Sequence, residues 1–200
     1  MPPRTKIKKE DIIHATFNIV RKEGMEAVNA RRIASELNCS VQPIFSNFSN
    51  MEDLKNEVIQ LAFEKYLEYI TSGSGSDIQY KTIGLNYIRL AREEPKLFKV
   101  LFMYKSDMSY SHFMSSNQSY HFIEESIMKA VDIDKKNISS FHSKMWFFTH
   151  GIATLIASET CTFTDEEIDE LLTEEYVALT LLEKYKKEKN IKDFKEIKSL

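Results

Sequence analysis

The chain has 200 residues, 42% of them hydrophobic and 12% aromatic, with five glycines and four prolines. That length can bury roughly 70% of the surface its unfolded form exposes, and so little Gly and Pro argues against a turn-dense, many-stranded fold. The formal net charge is −3, yet the first fifty residues carry eight Lys and Arg against five acids, so a basic end sits on an acidic body. No run of eighteen apolar residues exists, and the basic start MPPRTKIKKEDII lacks the apolar core of a secretory signal, so neither a membrane span nor export is expected. The expected compartment is the cytoplasm. Cys39 and Cys161 fit no metal spacing and are read as two buried structural thiols.

The periodicity predicts a first helix over Lys9 to Glu23, with Ile13, Phe17 and Val20 on one stripe, Ile12, Thr16 and Ile19 beside it, and Gly24 as its stop. From Asn29 to Phe48, NARRIASELNCSVQPIFSNF reads as two short helices joined by a tight turn. Ile33, Ala34 and Leu37 recur at helical spacing before the turn, and Ile44, Phe45 and Phe48 after it. Asn29 is placed to cap the first of these helices and Ser40 the second. Asn38-Cys39 makes the turn, since Asn tolerates left-handed backbone better than any residue but Gly. A helix-turn-helix of this size lays its second helix, Val41 to Phe48, in a major groove. The basic end of the chain is also the end that carries this motif.

Ser49-Asn50-Met51-Glu52 reads as a capping box that opens a helix running to about Ile70. Leu54, Val58 and Leu61 form one of its stripes, and Ile59, Phe63, Tyr66 and Ile70 another, so it can link two halves of the protein. Thr71 to Asp77 is a Gly/Ser loop with Asp77 as the cap of a helix that runs to Glu94. Pro95 suits the first turn of the next helix, which carries Leu97, Phe98, Leu101 and Phe102. Ser106 to Ser119 is polar and serine-rich and reads as a long loop or frayed helix, followed by helix over Tyr120 to Val131. Lys135 to Ser158 is helical and apolar nearly all round, which calls for cover on several sides, from its own domain and from another subunit. Thr164 to Glu167 is a second capping box; it opens a last helix through Ile168, Leu172, Tyr176, Leu179 and Leu182, with a Lys-rich tail from Lys184. The fold class expected is all-α.

The order of these helices and the wording of Asn29 to Leu54 resemble the tetracycline-repressor (TetR) family of helix-turn-helix transcriptional regulators. IIHATFNIVRKEG looks like that family's first helix, Arg31, Ile33 and Ala34 match its second, and Ser40, Ile44, Phe48, Glu52 and Leu54 match the recognition helix and the start of the fourth. YIRLAREEPKLFKVLF, from Tyr87, and FFTHGIATL, from Phe147, look like the regulatory domain of the branch with a Trp-His-Gly signature, of which His150-Gly151 is present here behind Thr149. The resemblance implies a DNA-binding domain over 1–50 with its helix-turn-helix at 29–48, a connecting helix over 51–70, and an effector-binding and dimerisation domain over 71–200. It also implies a homodimer built through helices near 135–158 and 164–186, and release of operator DNA by a small molecule. The chain departs from the family pattern at Asn38, usually Gly, at Phe45, usually Tyr, near Asn47, where His or Tyr is usual, and at Met51, usually Lys. The Tyr hydroxyl and the Lys are usual phosphate contacts, so backbone affinity is expected to be weaker unless Arg4, Lys6 or Arg32 compensates.

Within this frame Gln42 is the base reader, because its amide can form a bidentate pair with adenine. Ser40, Ser46 and Asn47 can donate to phosphates or base edges, and Val41 and Pro43 can touch a thymine methyl. Arg31 holds a phosphate, or else pairs with Glu36 on the surface. Asn29 and Phe45 complete the DNA-facing set, and Arg4 to Lys9 form an arm along the backbone or minor groove. For an effector the chain offers Phe63, Tyr66, Tyr87, Phe98, Phe102, Phe122, Trp146, His150 and Glu159, a set that favours an apolar or aromatic compound. Neither a metal nor a cofactor is implied. An enzyme is disfavoured, since a helical carboxylate-bridged metal site needs paired Glu-x-x-His motifs and the chain has none, Asp11-x-x-His14 being single. The alternative to a regulator is a helical relative that has lost DNA binding and acts on small molecules or proteins.

Overall fold

The computed structural model describes residues 7–73, 80–103, 120–189 and 191, and every regular element among them is helical. The helices are α1 (Lys9–Glu23), α2 (Ala30–Glu36), α3 (Gln42–Asn47), α4 (Met51–Ile70), α5 (Tyr80–Glu93), α6 (Pro95–Phe102), α7 (Tyr120–Ala130), α8 (Lys135–Ala157) and α9 (Asp165–Glu188), with one 3-10 turn at Met25–Ala27. The expected loop at 106–119, the cap at Asp77, the arm residues Arg4 and Lys6 and most of the Lys-rich tail lie outside the described residues.

Local sequence signals account for several helix ends. Asp11 accepts from the Lys8 N–H at 2.8 Å and so satisfies a donor at the start of α1. The Asn29 side chain accepts from the Arg32 N–H at 3.0 Å, the expected cap of α2. At the other end of α2, Asn38 takes a φ of 50°. The Cys39 N–H reaches the Ala34 carbonyl at 2.9 Å and the Asn38 N–H that of Ser35 at 3.2 Å. This is a Schellman closure with Asn in the left-handed position that Gly usually fills. The Thr164 hydroxyl accepts from Glu167 N–H at 3.1 Å while the Glu167 carboxylate accepts from Thr164 N–H at 2.8 Å, the expected capping box of α9.

Two expected caps sit elsewhere. Val41, not Ser40, occupies the N-cap of α3, and no side chain caps that helix. Pro43 in its first turn presets the backbone there and has no N–H to satisfy. At α4 the acceptor is Asn50, bonded to the Asp53 N–H at 2.9 Å, rather than Ser49. Either residue type can cap, and the register that buries Leu54 and Val58 on the core selects the later one. The cysteines differ from expectation as well: Cys39 is half-buried and Cys161 is exposed in the link to α9.

The chain resolves into two compact units, Met1–Tyr69 with Leu90–Ser106, and Ile70–Arg89 with Asp107–Leu200. In the first unit Ile12, Ile19, Val20, Ile33, Ile44, Leu54 and Val58 form the core, joined by Leu97 and Val100 of α6. Full burial of each such side chain is worth about 1.5–3 kcal/mol, so Ile33 and Ile44 pin α2 and α3 to α1 although both helices are too short to be stable alone. The Arg21 guanidinium on α1 grips the carboxylate of Glu94, the N-cap residue of α6, with Nε at 2.9 and 3.1 Å from its two oxygens. Tyr69 donates to Glu93 at 2.7 Å. In the second unit α5, α7, α8 and α9 contribute Ile83, Tyr87, Ile123, Phe141, Ile152 and Leu172 to a separate core. Gly84 of α5 faces Leu172 there, and a Cβ at that position would meet it at 3.6 Å, an ordinary van der Waals contact.

Candidate nucleic-acid interface

The first unit builds a three-helix platform that holds α3 by its buried side, Ile44 being fully buried and Phe48, just past its end, nearly so. The opposite side of α3 is open. Val41, Gln42, Phe45, Ser46 and Asn47 are all exposed, and Pro43 is half-buried. Burying Ile44 and Phe48 thus fixes which residues face outward, and five of the six expected on this helix and its cap do so.

Their chemistry divides sharply. The Gln42 side chain has no hydrogen-bond partner among the described residues and keeps both its amide donor and its acceptor available. Ser46 donates to the Gln42 carbonyl at 2.9 Å, and Asn47 donates to the Pro43 carbonyl at 2.7 Å, so these two side chains are engaged with their own helix. Ser40 is exposed at the turn, where its carbonyl lies 3.1 Å from the Cys39 thiol. Asn29 is exposed but occupied by its cap and by a bond from its amide to the Ala27 carbonyl at 3.2 Å.

The two arginines of α2 behave oppositely. Arg32 bridges Glu23 at 2.6 Å and Glu36 at 2.8 Å, and these hydrogen bonds raise its already high pKa while Arg32 holds the Glu23 carboxyl below its usual value. Arg31 is exposed and forms no ion pair among the described residues. Glu36, the surface partner considered for Arg31, is taken by Arg32. A cation therefore stands uncommitted on α2, whereas Arg32, one of the three residues expected to compensate for missing phosphate contacts, is tied down. Met51 packs partly buried against the first core and supplies no charge.

The aromatic set expected for an effector falls into two clusters, one in each unit. Phe63, Tyr66, Phe102 and Phe98 belong to the first unit, with ring centroids 5.4, 5.5 and 5.1 Å apart in that order. Tyr87, Trp146 and His150 meet in the second, where Phe122 is half-buried without a ring contact to them and Glu159 is exposed just past α8. There Trp146 stacks on His150 at 4.6 Å, and the Tyr87 hydroxyl lies 2.9 Å from His150 Nδ1. Nε2 faces the Thr154 hydroxyl at 3.3 Å, so in the neutral ring each nitrogen has a hydroxyl partner. Desolvation lowers the His150 pKa, in keeping with this neutral ring.

Sequence reasoning missed a second histidine. His142 is buried, with Nδ1 3.0 Å from the Tyr80 hydroxyl and the rings of Phe141 and Tyr176 packed on Tyr80. Burial lowers its pKa to about 4 and raises that of Tyr80, so a protonated phenol stands beside a neutral imidazole. The signal was available: His142 lies on the apolar stripe of α8 between Ile138 and Met145. Among the described residues no group of three His, Cys, Asp or Glu side chains could hold a metal, and no helix is long and apolar enough to cross a membrane.

The architecture is an all-α fold of the TetR type, with an N-terminal helix-turn-helix followed by a helical C-terminal region. It matches the structure of a TetR-family protein from Vibrio parahaemolyticus, assigned there as a transcriptional regulator, with a TM-score of 0.63 over 86% of this chain and 98% of that one. Identity is 14%, so the likeness is one of fold. No protein-family model and no curated protein matches the chain.

Proposed function

We propose that this protein is a ligand-responsive, DNA-binding transcriptional regulator: a repressor that binds a palindromic operator as a homodimer and is released by a small apolar or aromatic effector. The observation that carries the reading is the outer side of α3, where Gln42 has an uncommitted amide and Arg31 stands unpaired close by in sequence on α2. A reader needs both, a base-edge partner for sequence and a cation for the backbone. The basic charge of the first fifty residues supports the same reading.

Dimerisation is supported by apolar surface on α8 and α9. Phe147 and Leu155 are 53% and 37% exposed, with the open Gly151 between them, and Val177 and Leu181 are 45% and 59% exposed one turn apart on α9. Large apolar side chains spaced by eight on α8 and by four on α9 make the stripe that a helical partner covers. The polar centre of the second aromatic cluster, Tyr87 and His150 beside Trp146, gives an aromatic effector a stacking surface with a hydrogen-bonding edge. Placement in the branch with a Trp-His-Gly signature rests on His150-Gly151.

The engaged donors of Ser46 and Asn47, and the missing hydroxyl at Phe45, favour the second reading, a relative that has lost DNA binding. A mobility shift with the DNA upstream of the chain's own gene, titrated with salt, separates the two. Binding that weakens steeply with salt supports the regulator. Absent or salt-independent binding favours the alternative.

A further inference from the structure

The outward side of the recognition helix is apolar at two positions that folding does not use. Val41 is 37% exposed and Phe45 57% exposed. Four residues apart, they stand one above the other on one side of the helix. Met103 is the only other exposed large hydrophobic side chain among the described residues of this unit. α3 is anchored to the core by Ile44 and Phe48 instead, so the phenyl ring of Phe45 faces solvent with no hydroxyl to hydrate.

The neighbours of this stripe indicate what covers it. Gln42, next to Val41, has a free amide of the kind that pairs with adenine, Arg31 is an uncommitted cation, and the surrounding fifty residues are net basic. An apolar protein partner would leave that amide and that cation unpaired. The major groove answers all three, because an A·T pair presents adenine N6 and N7 on one side and, on the other, the single apolar group on any base edge, the thymine C5-methyl.

We propose that Val41 and Phe45 read thymine methyl groups, so that the preferred duplex carries T·A pairs beneath them and an adenine beneath Gln42. Phe45 then contributes sequence preference at a position where a phosphate contact would contribute none. This rests on the chain binding DNA, and its test is chosen so that the two can fail separately.

A random duplex library of about 20 base pairs, long enough for two half-sites one turn apart, is enriched on the full-length protein. The enriched duplexes are resynthesised with deoxyuridine for thymidine, which removes the methyl and leaves every hydrogen-bonding group. The wild type is expected to lose about four-fold in affinity for each methyl that meets an apolar side chain. Phe45→Ala, whose exposed position leaves the core intact, is expected to bind the thymine duplex more weakly and to discriminate less between it and the uracil duplex. A wild type that binds both duplexes equally overturns the proposal while leaving DNA binding in place. So does a Phe45→Ala variant that weakens both in the same ratio, the mark of a ring that fills space without touching a methyl. Failure to enrich any duplex overturns the proposal and the regulator reading together.

Discussion

Removing Arg21 and removing Glu94 should have unequal costs, although the two share one ion pair. The Glu94 side chain is 9% exposed and that of Arg21 39%. In Arg21→Ala the carboxylate stays in a site that water reaches poorly and has lost its guanidinium. Stripping one partner from a fully buried pair costs about 3–5 kcal/mol; with Arg21 more than a third exposed, screening reduces this to about 2–3 kcal/mol. In Glu94→Gln the guanidinium can turn into water and the amide oxygen still accepts one hydrogen bond, so the loss is about 1 kcal/mol. The double variant should fall short of the summed losses, since the second change removes a charge that the first had orphaned. Urea unfolding followed by far-UV circular dichroism measures all three. Equal losses for the single variants, or strict additivity in the double, would refute the assignment of Glu94 as the buried and costlier partner.

Three further outcomes follow from the geometry. His142 is held neutral in the fold with a pKa of about 4 against the usual 6.5 of histidine, so between those values the unfolded chain takes up a proton that the folded one does not. Stability contributed by the neutral ring is therefore complete above about pH 6.5 and falls as pH drops, by ~2 kcal/mol at about pH 5; His142→Gln should flatten that dependence in urea titrations, and an unchanged slope would contradict it. Replacing both Leu155 and Leu181 by Lys should convert a dimer to a monomer in sedimentation velocity while circular dichroism stays helical, whereas an unaltered sedimentation coefficient would move the interface elsewhere. Arg31→Ala should shallow the salt dependence of DNA binding by about one unit per subunit with little effect on sequence preference; an unchanged slope would show that Arg31 touches no phosphate.

What was legible in the sequence was local. The bounds of α1, the Asn29 cap, the left-handed Asn38, Pro95 at the start of α6 and the Thr164 capping box each depend on side chains within a few residues of the backbone groups they satisfy. The helix-turn-helix was legible for the same reason, but of its apolar set after the turn only Ile44 and Phe48 are buried, while Phe45 is 57% exposed. Ser40 and Ser49 misled because a cap-competent residue stood next to the true boundary, and the burial of Ile44 and Leu54, not the capping preference, set the register. The division of the aromatic residues into two clusters was out of reach. It depends on Leu97 and Val100 of α6 packing with α1, and on Arg21 meeting Glu94 across 73 residues of sequence. The pairing of Arg32 with Glu23 and Glu36, which frees Arg31, is likewise a three-way choice among surface charges that spacing alone leaves open.

The claim at the centre of this account is that the outer side of α3 reads base sequence through Gln42. The affinity of the wild type and of Gln42→Ala for an enriched duplex and its single-base variants tests it most directly. Gln42→Ala is expected to lose about 1–3 kcal/mol on the enriched duplex and to become indifferent at one symmetry-related base pair, with preference elsewhere retained. A uniform loss across every duplex, or no loss at all, would contradict the claim.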